Sequence, residues 1–228
     1  MGQKAHFFLP KMKDVATAYK YRYDAEKGCF MLKRVNVVVF DFDGTLSASD
    51  SNLEFGRYCF KHSIRPWLFL PLFLIGAGLY YCNKHSIVSR QLMRCFLTPK
   101  MVKEFAPTVI SEHQTRRFGW AAAQVAKEKA AGNICVLISA GPDYLVPELV
   151  RDMEFDAIIT SKMYAKHPWK YKFLCWGPNK GVALDNWAKR HEFIPNVVRS
   201  YGDSNSDKYI MARAKTPVWI NRKTGIPQ

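Results

Sequence analysis

Between Val35 and Phe40 the chain reads V-N-V-V-V-F and passes at once into Asp41-Phe42-Asp43-Gly44-Thr45-Leu46. A β-branched run of near-continuous apolar character is a strand buried on both faces, and such strands belong to parallel sheets covered by helices. Similar short runs recur at Ile134–Ile138, Ala157–Thr160, Val197–Tyr201 and Pro217–Ile220, separated by helical patterns at Trp120–Ala131, Pro142–Met153 and Pro178–His191. The alternation predicts an α/β fold built on a doubly wound parallel sheet. Residues 161–177 interleave Tyr164, Trp169, Tyr171, Phe173 and Trp176 with lysines and read as a hairpin with packed aromatics and solvated lysines.

At 228 residues the chain has room for one such domain with an insertion. A hydrophobic share of 48% against 23% charged residues fills a sizeable core, which excludes disordered and collagen-like structure. Lys and Arg number 34 against 19 Asp and Glu; the net charge of +15 attracts phosphates, nucleic acids or anionic lipid without choosing among them. Cys29, Cys59, Cys82, Cys95, Cys135 and Cys175 include no C-x-x-C pair, and no N-terminal signal segment precedes them, so a reduced, cytosol-facing location is expected. Each reads as a small apolar residue in or near the core. His6 stands where a myristoylation signal carries Ser or Thr, so no lipidation is expected.

Residues 1–34 are rich in Lys and Arg and carry exposed-looking aromatics such as Phe7, Phe8 and Tyr19; they read as a basic arm. Between the first and second strands lies a helical insertion, and within it Pro66 to Asn83 contains no charged residue. Lys61, Arg65 and Lys84 bound this segment, and Trp67, Tyr80 and Tyr81 at its ends suit a membrane interface. Its length reaches only the lower limit for a bilayer-spanning helix, and Pro71, Gly76 and Gly78 argue against one straight helix. A single crossing would also leave Asp41 on one side of the bilayer and every later acid on the other. The segment is therefore expected to be interfacial, re-entrant or buried in protein, with Arg90 and Arg94 adding to the basic flank.

Two carboxylates at the carboxyl end of a parallel strand lie where open α/β sheets place their active sites. Tyr201-Gly202-Asp203-Ser204-Asn205-Ser206-Asp207 brings two more to the end of the fourth strand. Clustered acids raise one another's pKa unless a hard cation compensates, and oxygen ligands of this kind suit Mg²⁺.

The D-F-D-G-T-L run resembles the first signature of the haloacid dehalogenase superfamily of phosphotransferases. Ser139 in L-I-S-A-G, Lys180 in G-P-N-K-G, and Asp203 and Asp207 in G-D-S-N-S-D follow in the family's order. The resemblance covers residues 35–222 and implies a Rossmann-like core at 35–48 and 120–228, with a helical cap at 49–119. It implies an aspartyl-phosphate mechanism: Asp41 as nucleophile, Asp43 as acid and then base, and Mg²⁺ held by Asp41, the Asp43 backbone carbonyl and Asp203. Ser139, Lys180 and Thr45 would hold phosphate oxygens, with Asp207 orienting Lys180.

The helical insertion resembles the branch containing phosphoserine phosphatase. There an acid shortly after the nucleophile and a cap arginine hold the substrate, and Asp50 and Arg90 are the nearest counterparts. Ser204 and Ser206 depart from that branch's usual G-D-G-x-N-D. The apolar segment and the D-S-N-x-D pattern more closely resemble the bacterial phosphatidylglycerophosphatase C group. The implied activity is Mg²⁺-dependent hydrolysis of a lipid phosphate such as phosphatidylglycerophosphate, at the cytoplasmic face of the bacterial inner membrane. The alternatives are a soluble, cytoplasmic small-molecule phosphatase of the phosphoserine type, and a non-catalytic basic protein binding membrane or nucleic acid. The expected partners are a phosphorylated lipid or small molecule and a membrane surface, not nucleic acid.

Overall fold

A computed structural model describes residues 22–24, 29–82 and 87–228. Most of the expected basic arm lies outside the described residues, and so does Lys84. Where the arm is described, Arg22–Asp24 (β1) and Cys29–Met31 (β2) pair as an antiparallel ribbon, which the sequence pattern did not signal.

The core is a six-stranded sheet of β3 (Arg34–Phe40), β4 (Ile134–Pro142), β5 (Ala157–Tyr164), β6 (His167–Phe173), β7 (Ile194–Gly202) and β8 (Thr216–Trp219), in the order β6-β5-β4-β3-β7-β8. All neighbours run parallel except the β5–β6 hairpin. This is the expected α/β architecture, and the hairpin expected around residues 161–177 supplies its antiparallel edge strand. The two faces of β3 explain its unbroken apolar character. Val38 and Phe40 join Phe55, Val125 and Leu137 in one core layer, whereas Val35, Val37 and Val39 join Leu184, Trp187 and Ile210 in the other. Each fully buried side chain of this size contributes roughly 1.5–3 kcal/mol.

Helices Ala121–Ala130 (α6) and Pro178–Arg190 (α8) supply those layers, close to their expected limits. The helix expected over Pro142–Met153 shrinks to Val146–Leu149 (α7). The cause is the longer ladder of β4: Pro142 pairs with Ser161, Ser161 Oγ donates to the Ala140 carbonyl at 2.8 Å, and Asp143 N donates to the Ser161 carbonyl at 3.0 Å.

Between β3 and β4 run Ser51–His62 (α1), Arg65–Leu68 (α2), Leu70–Cys82 (α3), Ile87–Leu92 (α4) and Pro99–Gln114 (α5). Asp50 starts α1 by accepting from Leu53 N at 2.9 Å, and Thr98 starts α5 by accepting from Met101 N at 3.2 Å. The uncharged segment breaks at Phe69 into α2 and α3. No helix among the described residues is long and apolar enough to cross a membrane. Nor is the segment enclosed by protein along its described residues. Phe73 packs on Phe60 and Gly76 is buried, but Leu68, Leu74, Ile75 and Tyr81 are 70%, 59%, 54% and 87% exposed.

Candidate active site

Three adjacent strands bring the expected residues to one end of the sheet. Asp41 follows β3, Ser139 lies in β4, and Asp203 follows β7. The Asp41 N–H donates to the Tyr201 carbonyl at 3.0 Å, fixing it to β7. Gly44 makes the turn beyond it at φ +86°, where a Cβ would stand 2.3 Å from Asp203 Oδ2. Only glycine lets this turn and the Asp203 carboxylate approach so closely.

Lys180 enters from the first turn of α8, where Pro178 occupies a first-turn position. Its side chain is 1% exposed, and Nζ donates to Asp41 Oδ1 at 2.6 Å and to Asp207 Oδ1 at 2.5 Å. Thr45 Oγ1 lies 3.3 Å from Asp41 Oδ2 and 3.4 Å from Asp203 Oδ1 and can donate to either. The second Asp207 oxygen accepts from Ser204 N at 3.1 Å and Ser204 Oγ at 3.0 Å. Ser206 Oγ reaches Asp207 Oδ1 at 3.3 Å. The two serines that depart from the phosphoserine pattern therefore hold Asp207 in place.

Burial, reinforced by Asp207 and by Asp203, pushes the Asp41 carboxyl up to about 7 despite Lys180. Burial and Asp207 push Asp203 up to about 6, with Arg222 and Lys180 opposing. Burial alone would lower the Lys180 pKa, but Asp41 and Asp207 outweigh it and keep the ammonium charged. Asp41 and Asp207 thus share one buried ammonium, Asp203 stands beside them 3.9 Å from Arg222, and one oxygen of each of the three carboxylates lies within 4.8 Å of the others. That surplus of negative charge on hard oxygen donors fits a Mg²⁺ ion.

The Asp43 carboxylate turns to the start of α1, accepting from Ser51 N at 2.7 Å and Ser51 Oγ at 3.0 Å. Burial and then Asp50 raise its pKa well above the usual range, which favours a carboxyl able to carry a proton. Ser139 Oγ accepts from Gly141 N at 3.0 Å. A Cβ on Gly141 would meet Ser139 Oγ at 3.3 Å and Ser51 Oγ at 3.5 Å, so these two hydroxyls flank one point beside Asp43.

Asp50 and Arg90 stand outside this cluster. Asp50 caps α1 and lies 3.7 Å from Arg222, which in turn lies 3.9 Å from Asp203. The Arg90 guanidinium sits 5.3 Å from the Tyr80 ring and 5.4 Å from the Trp176 ring.

Sequence reasoning missed Arg222 and gave Arg94 only a place on the basic flank. Arg94 donates to Asn52 Oδ1 at 2.6 Å, to Tyr144 Oη at 2.5 Å and to Tyr171 Oη at 3.5 Å. No carboxylate among the described residues pairs with it, and its Nε has no hydrogen-bond partner. Burial pushes the Tyr144 phenol up to about 12 against the pull of Arg94, so the ring offers a dipole and no counter-charge. Nothing in the local sequence marks Arg94 off from Arg90, because its partners come from three distant segments.

Residues 38–212 match the haloacid dehalogenase-like hydrolase family. No curated protein matches the chain. Among solved structures, a Bordetella pertussis Tohama I protein of unknown function is similar with a TM-score of 0.66 and 16% identity, over 85% of this chain and 93% of that one. A phosphoserine phosphatase solved as a phospho-aspartyl intermediate analogue gives 0.59 and 17%, over 82% and 87%. A phosphoserine phosphohydrolase-like protein from Francisella tularensis subsp. tularensis SCHU S4 gives 0.56 and 17%, over 84% and 91%. At these identities the structural likenesses concern the fold, and it is the family match across the strands, helices and acids described above that assigns the chain: it belongs to the haloacid dehalogenase-like hydrolases.

Proposed function

We propose that the protein is a Mg²⁺-dependent phosphomonoester hydrolase that works through an aspartyl-phosphate on Asp41, on a phosphorylated lipid at a membrane surface. The observation that carries the catalytic part is the contact set of Lys180 with Asp41 and Asp207 beside Asp203. Lys180 leaves one Asp41 oxygen tied and the other, near Thr45, free to attack phosphorus. The bond from Asp41 to phosphorus forms as the ester oxygen leaves, and Asp43 gives that oxygen its proton. Asp43 then takes a proton from water, whose oxygen attacks the phosphoryl group and releases Asp41. Ser139 and Lys180 bind phosphoryl oxygens. Asp41, Asp203 and the Asp43 carbonyl would hold Mg²⁺, with Asp207 close by; bound there, the ion neutralises phosphate charge and screens the carboxylates from one another.

The lipid part rests on α3. A helix apolar on all sides is ordinarily enclosed by protein or lipid, yet Leu72, Leu74, Ile75 and Leu79 face outward here. Lys61 and Arg65 lie at the near end, and the net charge is +15, which complements an anionic bilayer. Arg94, bonded to Asn52 next to Ser51, adds a cation with no carboxylate partner among the described residues, suited to a second anionic group such as the phosphodiester of phosphatidylglycerophosphate. This is the activity of the phosphatidylglycerophosphatase C group, exerted from the cytoplasmic face of a bacterial inner membrane. The likeness in fold to phosphoserine phosphatases favours a second reading, a soluble small-molecule phosphatase. Hydrolysis of phosphatidylglycerophosphate, phosphatidic acid and phosphoserine in detergent micelles with Mg²⁺ separates the two. Preferential turnover of phosphoserine removes the lipid reading, and no Mg²⁺-dependent turnover of any phosphate ester removes both.

A further inference from the structure

The loop from Asp43 to Ser51 carries the proposed acid at one end and that acid's hydrogen-bond donors at the other. Its middle is fastened to the last turn of α5. Ser47 Oγ lies 2.9 Å from Nε2 of His113, and both residues are fully buried. Nδ1 of His113 meets Glu54 Oε2 of α1 in a close contact, with Ser49 Oγ at 3.4 Å. Arg116 reaches Glu54 Oε1 at 3.1 Å. Beside these side chains, Ala48 N donates to the Arg116 carbonyl at 3.1 Å and Phe118 N to the Leu46 carbonyl at 2.9 Å. The Phe42 ring, between the two catalytic acids, packs 5.5 Å from the His113 ring.

A carboxylate only accepts, so Nδ1 carries a proton toward Glu54, and Ser47 Oγ meets the ring on its other side at Nε2. A buried hydroxyl and a buried imidazole are costly without each other. The imidazole therefore has one arm on a helix of the insertion and one on the catalytic loop.

We infer that His113 is a positioning residue for the hydrolase reaction: through Ser47 it holds the loop that sets Asp43 against the substrate, linking α1 and α5 to proton transfer. The inference rests on the hydrolase reading above. His113 touches no reacting atom. Its loss should act on the step that needs Asp43, with kcat falling and KM nearly constant.

Glutamine and asparagine separate the two arms of the ring. His113→Gln can reach Ser47 in the manner of Nε2, whereas His113→Asn can reach Glu54 in the manner of Nδ1 but not Ser47. The test measures kcat, KM, the leaving-group burst and thermal melting for both variants and for Ser47→Ala, with an aryl phosphate and saturating Mg²⁺. The expected result is a fall in kcat of about tenfold or more in His113→Asn and Ser47→Ala, with substantial recovery in His113→Gln. KM should stay within about threefold of wild type, and the effects of Ser47→Ala and His113→Asn should fail to add in the double variant. Unchanged kcat in Ser47→Ala, or losses that track melting equally in all variants, overturns the inference while leaving the hydrolase reading intact. A wild-type enzyme without Mg²⁺-dependent turnover overturns the reading, and the inference with it.

Discussion

The acid cluster at the end of the sheet and the apolar helix α3 differ in where their interactions end. In the cluster, Lys180, Thr45, Ser204 and Ser206 hold Asp41 and Asp207 by hydrogen bonds inside the protein, and the unmet need is for positive charge. On α3 the apolar side chains project outward, and the unmet need is for an apolar neighbour. One region calls for a cation and the other for an apolar surface. In the proposed function, turnover of a small phosphate and attachment to a bilayer are therefore separable, because no residue of α3 belongs to the cluster.

The largest effects should fall on the cluster alone. Asp41→Asn and Asp203→Asn should each lower aryl-phosphate turnover by at least about three orders of magnitude, read as initial rates at saturating Mg²⁺. Chelating the metal from wild type should do the same, reversibly. Lys180→Met should lose on the order of 10²–10³ in kcat, since in the proposed mechanism it removes the donor that holds Asp41 and meets the phosphoryl group. It also strips two buried carboxylates of their partner, so the melting temperature should drop in chelator and recover in part with Mg²⁺. Equal turnover in wild type and Lys180→Met would break the assignment of the cluster.

Leu74→Lys and Ile75→Lys probe the other side of the comparison. A lysine there should weaken partition to anionic vesicles, at a cost of about 2.5–3.5 kcal/mol if the position sits deep, and slow hydrolysis of a vesicle lipid phosphate accordingly. Aryl-phosphate turnover should stay near wild type. Joint loss of both activities with early melting would make α3 a structural helix. The smallest expected change concerns Arg94→Gln, which should raise KM for a substrate bearing a second anionic group by about tenfold and leave a simple aryl phosphate nearly unaffected.

What was legible in the sequence followed from local pattern. Val35 to Phe40 announced a strand covered on both faces, and the acids just beyond pointed to the candidate site where the fold gathers Asp41, Asp203 and Asp207. Pro66 to Asn83 announced its unusual apolarity, and Pro71 its failure to run as one helix. What stayed hidden depends on distant partners. Pro142 looks like a helix start until Ser161 claims it for the ladder. Arg94, Arg222 and His113 are unremarkable in their own stretches and acquire meaning only beside Tyr144, Asp203 and Ser47. Asp50 was readable as an acid near the site, but its work as a helix cap and its approach to Arg222 were not.

The most direct measurement is acid-quench peptide mass spectrometry of the wild-type enzyme mixed with an aryl phosphate and Mg²⁺. A single phosphoryl group on the Asp41 carboxylate, hydroxylamine-labile, formed before steady state and absent from Asp41→Asn, is the predicted result. Turnover that continues near the wild-type rate in Asp41→Asn, or a label carried by another residue, would contradict the assignment of Asp41 as nucleophile.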